Sequence, residues 1–440
     1  MRGAFTEMAM RQVVDMQSVK KSSSIAPILS DGREKILVNR RYSEEANRIV
    51  AKVAQATRMR HTKWLVNRQF ILDQSNIDAS LSEQARYGDS VIGGECERVT
   101  RNQRLLLECE HARVKDELRQ QVARQRIHSD VVSDILSMTE DMMKEQLLVM
   151  SPLQLFGRFP DFAYFTSTAY SPSLSVSKLS GLTTNDASLN SELLSLMENA
   201  KFLDRINRRP MTLQDAKVAI GALGLDNCVR LFPILMCKPL LKWQEPATKN
   251  IMPKLWQNMM VTANATCQRL RTAGWHTPEQ GLLLGVLLSL GVFAVVNQYP
   301  RLFEEALISK MQQYRESNQR DKYYACADVT FDLSRLPRLL ATLSRPVTKH
   351  VLEALSWTPA TLPLKIALEE ELNHVPVLDR SLCGVAIAQG DAFSIYDALE
   401  SSCVFIDKHK PFWFANVQLS AKDLSALNHA DLGRLELLSR

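Results

Sequence analysis

Residues 281–296, GLLLGVLLSLGVFAVV, carry no charged group and a single hydroxyl, Ser289. A bilayer span needs about 20 mostly apolar residues. This run is shorter, follows Pro278 and Glu279, and ends at Asn297 without basic flanks. A helix that is apolar all round is buried all round. The run is therefore expected to be a core helix, with Gly285 and Gly291 allowing neighbouring helices to come close. On that expectation Leu288→Asp would cost several kcal/mol, because it buries an unpaired carboxylate. A chain that wraps one helix completely needs other helices around it, so the expected fold class is all-α.

The rest of the chain supports this. Its 440 residues suggest about two to three domains, and glycine is scarce, at 16 residues. Helical periodicity runs from 42 to 72, with Ile49, Val53 and Ala56 on one side. Ser80 and Glu83 have the spacing of a capping box. Residues 97–127 lack Gly and Pro. Leu107, Val114 and Leu118 recur there at near-heptad spacing, but Gln121 and Gln125 interrupt it, predicting an amphipathic helix and no long coiled coil. Further helices are expected at 129–149, 187–200, 213–238, 250–271, 278–298, 301–318, 335–356 and 361–373, with a break around 320–335. Residues 151–185 are rich in Ser, Thr, Phe and Pro and read as a boundary followed by irregular packing. The organisation expected is a loosely ordered arm (1–30), an N-terminal helical interaction module (31–150), a helical domain (151–375) and a C-terminal extension packing on the bundle (376–440).

The net charge of +6 lies wholly in the N-terminal third, where residues 1–130 hold 23 Lys and Arg against 17 Asp and Glu. A solvated helical surface accounts for that excess, so a nucleic-acid partner is not favoured. Arg58, Arg60, Lys63 and Arg68 are candidates for an interaction surface. Phe412 and Trp413, within KHKPFWFANV, are further candidates, because aromatic residues are enriched at binding surfaces. A buried C-terminal cap over the bundle is the favoured reading of that stretch. The eight cysteines include no CxxC pair, and the first residues lack the apolar run of a signal peptide, so reduced thiols and a cytoplasmic location are expected. GGECE (93–97) resembles a cyclase signature only superficially, since the alternating strands of such a fold are missing. RINRRP (205–210) reads as a solvated loop between helices.

Four segments appear in a consistent order. NDASLNSELLSLMENA (185–200) is followed by AIGALGLDNCVRL (219–231), PKLWQNMM (253–260) and HTPEQGLLLGVLLSLGVFAVV (276–296). Together they resemble the HDOD family, the HD-related output domain of bacterial signalling proteins. The likeness is best over 186–300 and extends loosely to LEALSWTPATLPLKIAL (352–368), whereas 151–185 departs from the family's usual opening. The resemblance implies a helical bundle of HD-related type. It also places Asn258 where the HD superfamily has a metal-binding His, and Leu288 and Ser289 where it has the His-Asp pair.

These substitutions remove the chemistry. An HD phosphohydrolase needs imidazoles and a carboxylate converging on a metal that activates water. Asn258 is a weak neutral ligand, Leu288 cannot ligate, and Ser289 offers only a hydroxyl. None of the eight histidines lies on the helices that would carry the set. The resemblance thus implies a pseudoenzyme with no catalytic residues and no cofactor. The favoured reading is a signalling or regulatory adaptor that contacts another protein or a second copy of itself, without a membrane. The alternatives are a residual metal-dependent phosphohydrolase or nucleotide-binding protein and, more weakly, a nucleic-acid-associated regulator using the basic N-terminal helices. The signal, partner and pathway are not encoded in any recognisable motif.

Overall fold

The computed structural model describes residues 32–71, 108–209 and 211–438. Among these residues the chain forms 17 α-helices and no strand. The expected arm at 1–30, the Ser80–Glu83 pair and GGECE lie outside the described residues. Eight helices position the site: α1 (Glu44–Val66), α2 (Glu108–Gln146), α3 (Met252–Ala273), α4 (Gln280–Glu316), α5 (Leu336–Glu353), α6 (Leu362–Leu372), α7 (Leu382–Ser401) and α8 (Lys410–Asn416). Short helices between Pro152 and Cys237 pack among themselves and onto α4.

Helix α4 contains the apolar run and packs against α2, α3 and α5, while α3 packs on α7. It is the one described helix long and apolar enough to cross a membrane, yet 83% of its apolar window is buried within the protein. Of residues 281–296, only Leu288 and Val292 are not fully buried. Its glycines set how closely the helices meet. A Cβ at Gly281 would lie 2.5 Å from the Cys267 amide nitrogen, and one at Gly285 would lie 2.5 Å from Ala263 Cα. A Cβ at Gly291 would collide with the Ser344 carbonyl and with Thr348. The Gly291 amide instead donates to Thr348 Oγ1 at 3.1 Å, tying α4 to α5.

Local chemistry sets most helix starts. Ser43 caps α1 through the Ala46 amide, and Glu44 and Glu45 follow in the first turn, where the helix dipole favours negative charge. Asp186 accepts from the Ser188 and Leu189 amides at 2.9 and 3.1 Å, and Ser381 caps α7. Gly274, at φ 80°, closes α3.

Several elements differ from the sequence reading. Residues 108–127 and 129–146 of the helices expected at 97–127 and 129–149 form the single helix α2, with 97–107 outside the described residues, and the helices expected at 278–298 and 301–318 join into α4. Pro300 gives up one amide, but α4 continues because Tyr299, Pro300, Leu302 and Phe303 are buried around it. Phe303 and Ala306 pack there with Val131, Ile135 and Leu136 of α2. The helix expected at 213–238 breaks at Gly224, whose φ of 84° and ψ of 152° suit only glycine. The two pieces are bent by 119°. Residues 151–185 hold three short helices in place of irregular chain.

Part of the segment expected to form the N-terminal module packs on the main core. Ile36, Ala54, Leu65 and Val66, together with Met143 of α2 and Leu147 just after it, belong to the same buried cluster as α3 and α4. The C-terminal extension also reaches the centre. Gly390 on α7 lies against Thr266 of α3, and buried Gln389 accepts from Arg269 Nε at 2.8 Å and donates to the Ile36 carbonyl at 2.8 Å. Gly390 lets α7 lie close against α3, and most of the helix is buried.

Burial distinguishes adjacent residues on α4. Leu287→Asp should destabilise the protein by several kcal/mol, because Leu287 is fully buried, and the half-buried Leu288→Asp should cost distinctly less. Gly291→Ala should cost about 1–3 kcal/mol through overpacking. Urea unfolding followed by circular dichroism checks all three, and equal losses at 287 and 288 would contradict the assigned burial.

Candidate functional site

Asn258, Leu288 and Ser289 line one cavity of about 720 Å³. Asn258 comes from α3, and Leu288 and Ser289 from α4. The remaining walls come from α1, α5, α6, α7 and the turn that follows α6. The sequence order of these segments does not suggest their meeting.

The positions expected to be degenerate behave as their chemistry predicts. Ser289 Oγ donates to the Gly285 carbonyl of its own helix at 2.8 Å. Leu288 is half-buried against the cavity. The Oδ1 of Asn258 has at most His61 as a hydrogen-bond partner. Among the described residues, no three His, Cys, Asp or Glu side chains are grouped to hold a metal ion. The donors present at these positions, an amide, an alkyl chain and a committed hydroxyl, do not fit a divalent metal.

Charge enters the cavity from elsewhere. Glu371, 3% exposed, lies in the last turn of α6 and meets three guanidinium groups. Arg380 holds it in a short buried pair, Arg345 reaches Oε1 at 2.9 Å, and Arg58 lies 3.6 Å away. Arg58 also bonds Asp391 on α7 at 2.7 Å. Burial alone would raise the Glu371 carboxyl, but Arg58, Arg380 and Arg345 together hold it below the usual carboxylate range. Such a cluster fixes geometry more than it adds stability, because desolvating the ions offsets much of their attraction.

Two histidines complete the lining. His61 of α1 is 6% exposed and stacks on Trp64 at 5.7 Å, and its ring has at most Asn258 as a hydrogen-bond partner. Burial, reinforced by the Arg58 charge, pushes its pKa down to about 3. His374 is also pushed down, by burial and then by Arg345. Both rings are therefore neutral near pH 7. The sequence reading set the histidines aside as lying on the wrong helices, and it overlooked Arg345, Glu371, Arg380 and Asp391. Only contact across more than 300 residues brings Arg58 to Asp391, and no periodicity encodes that.

The expected interaction surface is corrected in part. Arg58 faces the cavity, with its guanidinium 5.6 Å from the Trp413 ring centre. Arg60 Nε donates to the Val404 carbonyl at 2.6 Å. Trp413 is 1% exposed and donates to the Ala392 carbonyl, as the favoured reading of a buried cap expects. Lys63 and Phe412 are half-buried, and Arg68 is exposed. Arg58 and Arg60 of α1 turn inward to the Asp391 carboxylate and the Val404 carbonyl, whereas Arg48 and Lys52 stay exposed. In 205–210, Arg205 donates to the Leu435 carbonyl of the C-terminal tail.

The His61 shift has a definite sign. Its folded-state pKa lies below the unfolded value near 6.5, so the unfolded chain takes up the proton first and stability falls as pH falls. Between pH 6.5 and 5, His61→Gln should flatten the loss by up to about 1.4 kcal/mol per pH unit. Urea unfolding across that window measures it. Parallel curves for variant and wild type would mean that His61 titrates normally.

Comparison with known proteins agrees with this layout. The family model described as HDOD domain matches residues 161–328. It begins inside the stretch that departs most from the family's opening and stops short of the loose likeness at 352–368. No curated protein matches the chain. A crystal structure from Shewanella amazonensis SB2B, whose protein carries the provisional name metal-dependent phosphohydrolase, aligns at 12% identity and a TM-score of 0.37. The alignment covers 71% of this chain and 96% of that one. The family match makes residues 161–328 similar to an HDOD domain, and this stretch supplies Asn258, Leu288 and Ser289, whereas Arg58, His61, Arg345, Glu371, His374, Arg380 and Asp391 all lie outside it.

Proposed function

We propose that this protein is a non-catalytic, cytoplasmic regulatory adaptor in which the HDOD domain acts through protein contacts. The observation that carries the reading is the chemistry of Asn258, Leu288 and Ser289 on one cavity wall. Metal-activated hydrolysis needs imidazole and carboxylate donors at such a place, and these three residues supply neither. Instead, the wall joins an apolar core helix to a cover, α1, that lies outside the HD-related domain.

The protein contact is assigned to the N-terminal half of α2. Val114, Leu118 and Val122, four residues apart, are 50%, 59% and 56% exposed. A row at that spacing forms one apolar stripe on a helix, and stripes of this kind lie in grooves or against partner helices. The inward commitment of Arg58 and Arg60 weighs against the nucleic-acid alternative, because it removes cations from the surface that reading needs.

Two measurements on the full chain test the reading. Elemental analysis should find no stoichiometric Mn, Fe or Zn, and bis-p-nitrophenyl phosphate should not be hydrolysed. About one or two metal ions per chain, with hydrolysis that Ser289→Ala abolishes, would favour the phosphohydrolase alternative. Leu118→Glu should leave stability within about 0.5 kcal/mol, because the site is exposed. It should also reduce self-association in light scattering or the capture of a protein partner. A salt-sensitive DNA mobility shift, with no protein contact affected by Leu118→Glu, would favour the nucleic-acid reading.

A further inference from the structure

We infer that the cavity beside Asn258, Leu288 and Ser289 binds a small organic anion, with an oxyanion head on Arg58 and Arg345 and an apolar body against Leu255, Leu288, Val292 and Phe293. The inference rests on the non-catalytic reading of the same site and names what the site would take.

The charges facing the cavity do not cancel. It is lined by three guanidinium groups and two carboxylates, Glu371 and Asp391, with His61 and His374 as neutral rings. Arg380 and Glu371 are buried against each other at 7% and 3% exposure. Arg58 and Arg345 remain the accessible pair, at 30% and 22%. Asp391 takes up one of their charges through Arg58. One positive charge is left over in an enclosed place, and an entering anion would neutralise it. A guanidinium fork suits the two oxygens of a carboxylate or a phosphate ester.

An unused polar atom points the same way. Ser344 Oγ lacks a hydrogen-bond partner, although the residue is nine-tenths buried and lines this cavity. Buried polar atoms are normally paired, so this free hydroxyl indicates a missing partner. His61 Nε2 and Asn258 Oδ1, also in the lining, have at most each other as partners.

Size and lining define the rest of the ligand. About 720 Å³ falls within the range of small-molecule sites and far exceeds an inorganic anion. Much of the lining is aliphatic or aromatic, and Leu288 and Val292 are the two residues of the apolar run left half-buried. The head would join α1 to α5, at places outside the HDOD match. Occupancy would therefore be felt by the N-terminal helix.

Isothermal titration of the full chain with octanoate, octyl phosphate, 1-octanol and inorganic phosphate tests this. Octanoate or octyl phosphate should bind once per chain and raise the unfolding temperature, and the tighter of the two identifies the head as carboxylate or phosphate. The neutral 1-octanol and the bodiless inorganic phosphate should each bind at least about tenfold more weakly. Arg345→Gln leaves Glu371 facing Arg58 and Arg380, and should weaken the anion about tenfold without changing the weak binding of 1-octanol. Leu288→Trp should weaken both, by filling the apolar half, and it retains the charge cluster should the arginine variant fail to fold. Equal binding of 1-octanol and octanoate, or no binding of either amphiphile, would overturn the proposal. Release of inorganic phosphate from octyl phosphate would support anion binding while counting against the non-catalytic reading, so the two can fail separately.

Discussion

The close approach of α4 to α3 and α5 is the constraint on which the rest of this structure depends. Gly281, Gly285 and Gly291 leave no room for a Cβ, so three helix backbones come together along one apolar seam. Side chains beside such a seam cannot carry unpaired charge, and the sequence from 281 to 296 carries none. Two residues of the run are less buried than the rest. Leu288 and Val292 turn away from the seam, and the space they face is the cavity.

A catalytic metal and such a seam compete for the same helix. Holding an ion would require ionised or strongly polar ligands on α4, beside a core that penalises them unless they are paired. In this chain Ser289 turns its hydroxyl back to its own backbone, and Leu288 presents a hydrocarbon face. Charge is instead concentrated across the cavity, where Glu371 meets three arginines on α1, α5 and the turn before α7. The charged groups of the site thus lie on segments that flank residues 161–328.

This division explains what could be read from sequence. The all-α class followed from the apolar run and the scarcity of glycine, and the HD-related domain from four ordered segments. Asn258, Leu288 and Ser289 were legible as a set because they sit inside those segments. Arg58, His61, Arg345, Glu371 and Arg380 were not, because each lies on a helix whose local pattern looks ordinary. Arg58 and Arg60 looked like a solvated basic face, since periodicity shows that a helix has a polar side but not what that side meets. Trp413 was more legible. The favoured reading of its stretch is a buried cap, and its ring is buried beside Arg58, with the indole donating to the Ala392 carbonyl. The joining of α2 and the depth of α7 were also hidden, because both depend on partners distant in the chain.

The placement of α1 bears on the proposed regulation. Besides packing on α5 and α8, it makes specific polar contacts with the C-terminal region: Arg58 with Asp391, Arg60 with the Val404 carbonyl, and Trp64 with Ser402. Its buried face mixes Val50, Ala54, Leu65 and Val66 with the polar Thr57 and His61. The polar part of that face depends on the charge state and occupancy of the space beneath it, since polar contacts contribute only modest net energy each. The same helix supplies Arg58 and His61 to the cavity, so anything that changes the field there changes what holds α1 in place. Coupling between a buried site and the N-terminal segment therefore needs no long relay, because the helix that would respond is itself one wall of the site.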